Sequence, residues 1–116
     1  MGYDKRLALI EKMHEHTQNG RVDWEETVNN NEFIVSKSNL SVVVNKGQNQ
    51  NNGTLYTFSI MDEEGDTIDE FNDESWGEDD HIFGMCRDLY NMARGYAKGT
   101  EQALDKLLTS FGDVPF

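Results

Sequence analysis

The chain has 116 residues, twenty-two acids against ten Lys and Arg, a formal charge of −12 and a pI near 4.4. It has the length of one domain, 1–116, able to bury roughly two thirds of its unfolded surface, and its one cysteine, Cys86, excludes a disulfide framework and a multi-cysteine metal site. The charge gives counterion release the wrong sign for direct binding to nucleic acid or an anionic membrane. No apolar run approaches the ~18 residues of a span, and the charged start MGYDKRLALIEKMHEH is not a signal peptide, so a cytoplasmic setting is expected.

Residues 4–18 read as a helix. Leu7, Ile10 and Met13 share a stripe with Ala8 and Thr17 beside it, and Asp4 can serve as the N-cap. Asn19 and Gly20 end it, since glycine takes the left-handed cap conformation without a Cβ penalty. A short extended piece follows at Trp24, and residues 28–31 read as a turn. The period then changes to two. Phe33 and Val35 alternate with polar neighbours; so do Leu40, Val42 and Val44, with Val43 the exception, and then Tyr56, Phe58 and Ile60. A fourth, shorter strand runs from Ile68 toward Phe71. The connections SKSN, NKGQNQNNG and DEEGD are rich in turn formers and short enough for antiparallel hairpins. The Asn/Gln tract at 48–52 reads as a mobile hairpin tip within one domain.

Residues 80–98 form the strongest helix, with Ile82, Phe83, Cys86, Leu89, Tyr90, Ala93 and Tyr96 on a wide apolar face and Met85 and Met92 flanking it. Asp79 and Asp80 suit its N-terminus. Gly99 stops it and Thr100 is expected to cap a last helix, in which Ala103, Leu104, Leu107, Leu108 and Phe111 are expected to bury one side; Pro115 lies beyond its end. The fold class is α+β: an N-terminal helix, a four-stranded antiparallel meander with one face buried, and two C-terminal helices packed on one face.

The acids are unevenly placed. Residues 62–80 read DEEGDTIDEFNDESWGEDD, which contains Asp62, Glu63, Glu64, Asp66, Asp69, Glu70, Asp73, Glu74, Glu78, Asp79 and Asp80: eleven acids in nineteen positions with no Lys or Arg. The other ninety-seven residues hold eleven acids and ten bases, so a nearly neutral body carries one acidic band. Acids in such an open polar run are expected to keep ordinary pKa values. Trp76 sits inside the band, where it reads either as an interface anchor with a charged rim or as a lid folded back over the meander.

Motifs for chemistry are missing. His14 and His16 are two apart and diverge on a helix, and His81 and Cys86 are five apart, so neither pair chelates a metal unaided. Asp62, Glu64, Asp66 and Asp69 invite a calcium loop, but counting from Asp62 the required glycine position falls on Thr67 and Gly65 comes two places early. A hairpin turn through Glu64 and Gly65 is the simpler reading. Cys86 lies mid-stripe, as a small buried thiol does. There is no G-x-S-x-G, P-loop, G-x-G-x-x-G or H-E-x-x-H. No catalysis and no cofactor are expected.

Two functional classes fit. In the first, the chain is an inhibitor or decoy that occupies a basic surface of a partner protein. Alternate acids on an extended chain recur every ~6–7 Å, a charge spacing comparable to that along a nucleic-acid strand, so the partner expected is a basic protein such as a nucleic-acid-processing enzyme. In size, acidity and want of catalytic motifs the chain resembles phage-encoded antagonists of host defence and toxin-immunity proteins. The partner-binding set is then the eleven acids with Trp76. In the second, the chain is a chaperone or adaptor that binds through apolar helix surface or a free sheet edge, and the acids serve solubility and protect the edge.

Overall fold

The computed structural model describes residues 4–112. Helix α1 spans Lys5–Gln18, and its N-cap is Asp4, whose Oδ1 accepts the Leu7 N–H at 3.0 Å. The strands are β1 (Glu25–Glu26), β2 (Glu32–Lys37), β3 (Leu40–Gln48), β4 (Thr54–Met61) and β5 (Thr67–Asn72), followed by a 3-10 helix at Asp73–Trp76, then α2 (Asp80–Ala97) and α3 (Thr100–Phe111). The sheet is an antiparallel meander with strand order β1-β2-β3-β4-β5. The expected α+β architecture is present with five strands in place of four. The extra one is the two-residue β1 just after Trp24, too short to carry a period.

Turn chemistry sets the register. Ser38 and Asn39 join β2 to β3 with φ of 58° and 64°, the left-handed pair that matches the twist of a two-residue hairpin. The Asn/Gln tract does form the β3–β4 tip. Asn49 organises it: its Oδ1 accepts the N–H groups of Asn51 and Gly53, each at 2.9 Å, and its Nδ2 donates to Glu74 Oε2 at 2.9 Å.

Period-two alternation puts Phe33, Val44, Phe58 and Phe71 in one cross-strand row, each at most 3 % exposed. Burial of each such side chain contributes ~1.5–3 kcal/mol. Phe58 and Phe71 stack at 5.6 Å between centroids. Helices α1 and α2 cover this face side by side and in the same direction, since Asp4 meets Trp76 and His14 lies 3.9 Å from Asp88. From α2, Ile82, Cys86, Leu89, Tyr90 and Ala93 enter the core as expected, and Tyr90 packs on both Phe33 and Tyr56 at 5.5 Å. Tyr96 does not; it is 47 % exposed. Val43, out of phase in the sequence, is buried on the opposite face, opposite Ile34 and Ser59.

The last helix departs from expectation in two ways. Gly99, with φ +65°, occupies the N-cap position and makes no side-chain cap, so Thr100 is the first helical residue rather than the cap. None of the residues of α3 is buried. Leu104, Leu107, Leu108 and Phe111 are 49, 54, 66 and 48 % exposed, and Ala103 is exposed as well. The helix meets the body through α2, and the molecule measures 60 Å along its long axis against 34 and 26 Å across. The amphipathic pattern is real, but among the described residues it leads to no buried position. Pro115 lies outside the described residues.

Candidate functional site: the acidic edge of the sheet

Strand β5 ends the sheet order and pairs with β4 alone, so its outer edge is open. The acidic band follows that edge. Asp62, Glu63, Glu64 and Asp66 form the β4–β5 turn; Asp69 and Glu70 lie on β5; Asp73 and Glu74 belong to the 3-10 helix; Glu78, Asp79 and Asp80 lead into α2. A run contiguous in sequence thus becomes a ribbon from the hairpin turn to the start of α2.

Several of these acids are committed to the fold. Asp62 Oδ1 accepts the backbone N–H groups of Glu64 and Asp66 at 3.0 and 2.9 Å and closes the turn, in which Gly65 takes φ +87°. That is the hairpin turn expected at Glu64 and Gly65. Asp69 receives Arg6 in a two-pronged contact, Nε to Oδ2 at 2.8 Å and an Nη to Oδ1 at 2.7 Å, which ties α1 to the sheet edge. The same guanidinium lies 5.6 Å from the Phe71 ring centre, within cation–π range. Asp79 is the N-cap of α2, accepting the Ile82 N–H at 3.0 Å. Glu70 accepts from Ser59 Oγ at 3.1 Å.

Asp73 is the exception among the acids. It is 5 % exposed, and its Oδ1 accepts the Tyr56 N–H at 2.7 Å. Burial raises its carboxyl above the ordinary range, an effect the Tyr56 N–H partly offsets. Asp69 moves the other way, lowered chiefly by the Arg6 hydrogen bonds. The expectation of ordinary values throughout the band therefore fails at these two positions. One carboxylate is dehydrated by the fold, and the other is paired with a guanidinium.

Trp76 folds back. Its half-buried ring meets Phe71 edge-on at 5.9 Å, and its indole N–H donates to Asp4 Oδ2 at 2.6 Å. The N-cap carboxylate of α1 thus also fastens the 3-10 helix, and the Leu7 and Trp76 donors together hold the Asp4 carboxyl below the ordinary range. The indole N–H is spent inside the molecule, which favours the lid over a projecting anchor.

What stays available is narrower than the band. The carboxylates of Glu63, Glu64, Asp66, Glu78 and Asp80 accept no hydrogen bond and join no ion pair among the described residues. All five residues are exposed. Arg6 is the one cation paired with any acid of the band among those residues. Carboxylate oxygens of Asp62, Glu64 and Asp66 lie within 4.8 Å of one another; the backbone bonds to Asp62 already account for the turn that gathers them. Cys86 is fully buried and burial pushes its thiol up to about 12, so it is the inert core thiol expected.

Sequence reasoning found Asp4 as a helix cap but missed Arg6 and the second bond of Asp4, which clasp the N-terminal helix to residues 63 and 72 positions away. No local signal marks a partner so distant. Fold and surface together define a class: an α+β helix-on-meander protein with one open, strongly acidic sheet edge. Comparison with family models, with curated proteins and with solved structures found no match. Among the described residues no helix is long and apolar enough to cross a membrane.

Proposed function

We propose that this chain is a non-catalytic binding protein whose acidic edge occupies a basic surface of a partner protein, in the manner of an inhibitor or decoy. The observation that carries the reading is the segregation of charge. Eleven acids without a base run from the β4–β5 turn through the edge strand β5 to the start of α2, and Arg6 alone forms an ion pair with them among the described residues. Such a field accelerates encounter with a cationic groove and disfavours neutral or acidic partners. A basic nucleic-acid-processing enzyme is the partner class we infer, since such enzymes present cationic grooves to a field of this sign.

The test separates binding acids from folding acids. Glu63→Gln, Glu64→Gln, Asp66→Asn and Glu78→Gln are combined in one variant, with Asp62, Asp69, Glu70, Asp73 and Asp79 left intact. Immobilised wild-type chain is expected to retain a basic protein from cell lysate at low salt and release it at moderate salt, and the variant is expected to lose it while unfolding at the same urea concentration. Equal retention by the variant, or a complex that persists at high salt, would reject the acidic edge as the interface. The second reading, a module that binds through apolar surface, is favoured by one observation, the open stripe of α3. It predicts the salt-resistant outcome and loss of binding when Leu107 and Leu108 become Gln.

A further inference from the structure

One surface of this acidic chain has the opposite character. Val35, Val42 and Ile60 stand in a cross-strand row of β2, β3 and β4, two positions along from Phe33, Val44 and Phe58 and therefore on the same face. The earlier row is buried beneath the helices, whereas this one is only half-buried. Leu40 continues it on β3 at 41 % exposure. Leu9 and Met13, one turn apart on α1, form a wall, and the result is an open groove of about 520 Å³, within the ~300–1,000 Å³ of small-ligand sites. Its rim carries Lys12, Arg21 and Lys37 against one acid, Asp23. Lys12 is paired with Glu15 at 3.7 Å, while Arg21 and Lys37 join no ion pair among the described residues. Asp69, opposite Ile60 across the β4–β5 ladder, is already answered by Arg6. In a chain of net charge −12 the groove is a locally cationic site with an apolar floor.

We propose that this groove binds a free long-chain carboxylate, its acyl chain along the Val35–Val42–Ile60 row and its head group on Arg21 and Lys37. The apolar floor calls for an apolar body, since a polar ligand would lose its hydration there without a partner. The two unpaired cations call for an anionic head, and a carboxylate accepts charge-assisted hydrogen bonds from both a guanidinium and an ammonium. A neutral or cationic amphiphile would leave Arg21 and Lys37 unanswered. The ligand is a dissolved monomer and not a lipid held in a bilayer, because a chain of this net charge is repelled by an anionic membrane. The proposal goes beyond the acidic-edge reading and does not depend on it, because the residues involved are different.

The test sets the local field against the net charge. The full chain is titrated calorimetrically with dodecanoate below its micelle concentration, and separately with dodecyltrimethylammonium, which has a chain of the same length and the opposite charge. Net charge alone favours the cation, so the expected result, saturable one-to-one binding of dodecanoate in preference to the cation, reports the groove. The rim variant Arg21→Glu with Lys37→Glu, both at exposed positions, is expected to weaken dodecanoate ~10-fold or more with an unchanged urea midpoint. Methyl resonances of wild type locate the ligand without any variant: those of Leu40, Val42 and Ile60 are expected to shift on saturation. The proposal is overturned by the absence of saturable dodecanoate binding, by equal or tighter binding of the cation, by undiminished affinity in the rim variant, or by methyl shifts confined to residues outside the groove.

Discussion

Asp73 offers the sharpest quantitative test, because replacement by Asn, of the same shape, and by Ala, which removes the acceptor, should separate its two roles. It supplies the acceptor for a buried Tyr56 N–H at 2.7 Å and places a carboxylate at 5 % exposure. Asp73→Ala leaves that N–H unpaired in the core, at a cost of ~1–3 kcal/mol. Asp73→Asn keeps an amide oxygen in the same place and removes the dehydrated charge, so its cost at neutral pH is close to zero or slightly negative. With a urea slope of ~1–3 kcal/mol per molar, the alanine variant's midpoint falls by roughly 1 M while the asparagine variant's stays near wild type. The pH dependence has a fixed sign. Burial raises the Asp73 carboxyl in the folded state, so the folded protein holds that proton more tightly than the unfolded chain. Stability from this group is then greatest below the ordinary carboxylate value near ~4 and falls as pH rises through the raised folded value. Asp73→Asn therefore gains on wild type across that window and levels off above it. Urea titrations of the three proteins at several pH values decide the matter. An asparagine variant as weak as the alanine one, or a difference that shrinks with rising pH, would refute the account.

Three further outcomes follow from the core and the clasp. Thr17 is fully buried and its Oγ1 accepts the Trp24 indole N–H at 3.0 Å, so Thr17→Val should keep the packing and cost ~1–3 kcal/mol in urea unfolding. Cys86, at 0 % exposure with its thiol pushed up to about 12, should react with a chromogenic disulfide only as fast as the protein opens. Labelling that matches a free thiol in native buffer would contradict its placement. Trp76→Phe should retain the edge-on contact with Phe71 and lose the bond to Asp4, for ~0.5–1.5 kcal/mol. Trp76→Ala should cost more and quicken amide exchange in the first turn of α1.

Much of this fold was legible because its signals are local. Asp4 and Asp79 cap the helices that the sequence assigns to them, Gly20 turns with φ +72° where α1 ends, and period-two alternation places Phe33, Val44, Phe58 and Phe71 on the covered face. What failed depends on tertiary placement. Amphipathic spacing in α3 shows that one side is apolar, and says nothing about whether the chain holds a surface to receive it. The acids of the band are alike in composition. Yet the backbone bends at Asn72 into a 3-10 helix, with a reciprocal cap between Asn72 and Ser75, and this turns Asp73 beneath the Tyr56 N–H. Trp76 has polar neighbours in sequence, and only the nearness of Phe71 and Asp4 in space turns it inward.

The strictly sequential strand order has a kinetic consequence. Every strand neighbours its predecessor in the chain, so the sheet can grow by successive hairpins, each closing a short loop at small entropic cost. The long closures are those of α1, whose Arg6 reaches Asp69 across 63 residues and whose cap Asp4 reaches Trp76 across 72. Helix α1 is therefore expected to dock after the meander has formed and to detach first under mild denaturant, which amide exchange at low urea would read. Detachment uncovers Ile10 and Met13 of α1 and the Phe71 ring over which Arg6 lies, so the clasp at Arg6 and Asp4 governs how often this part of the core meets water in the native ensemble.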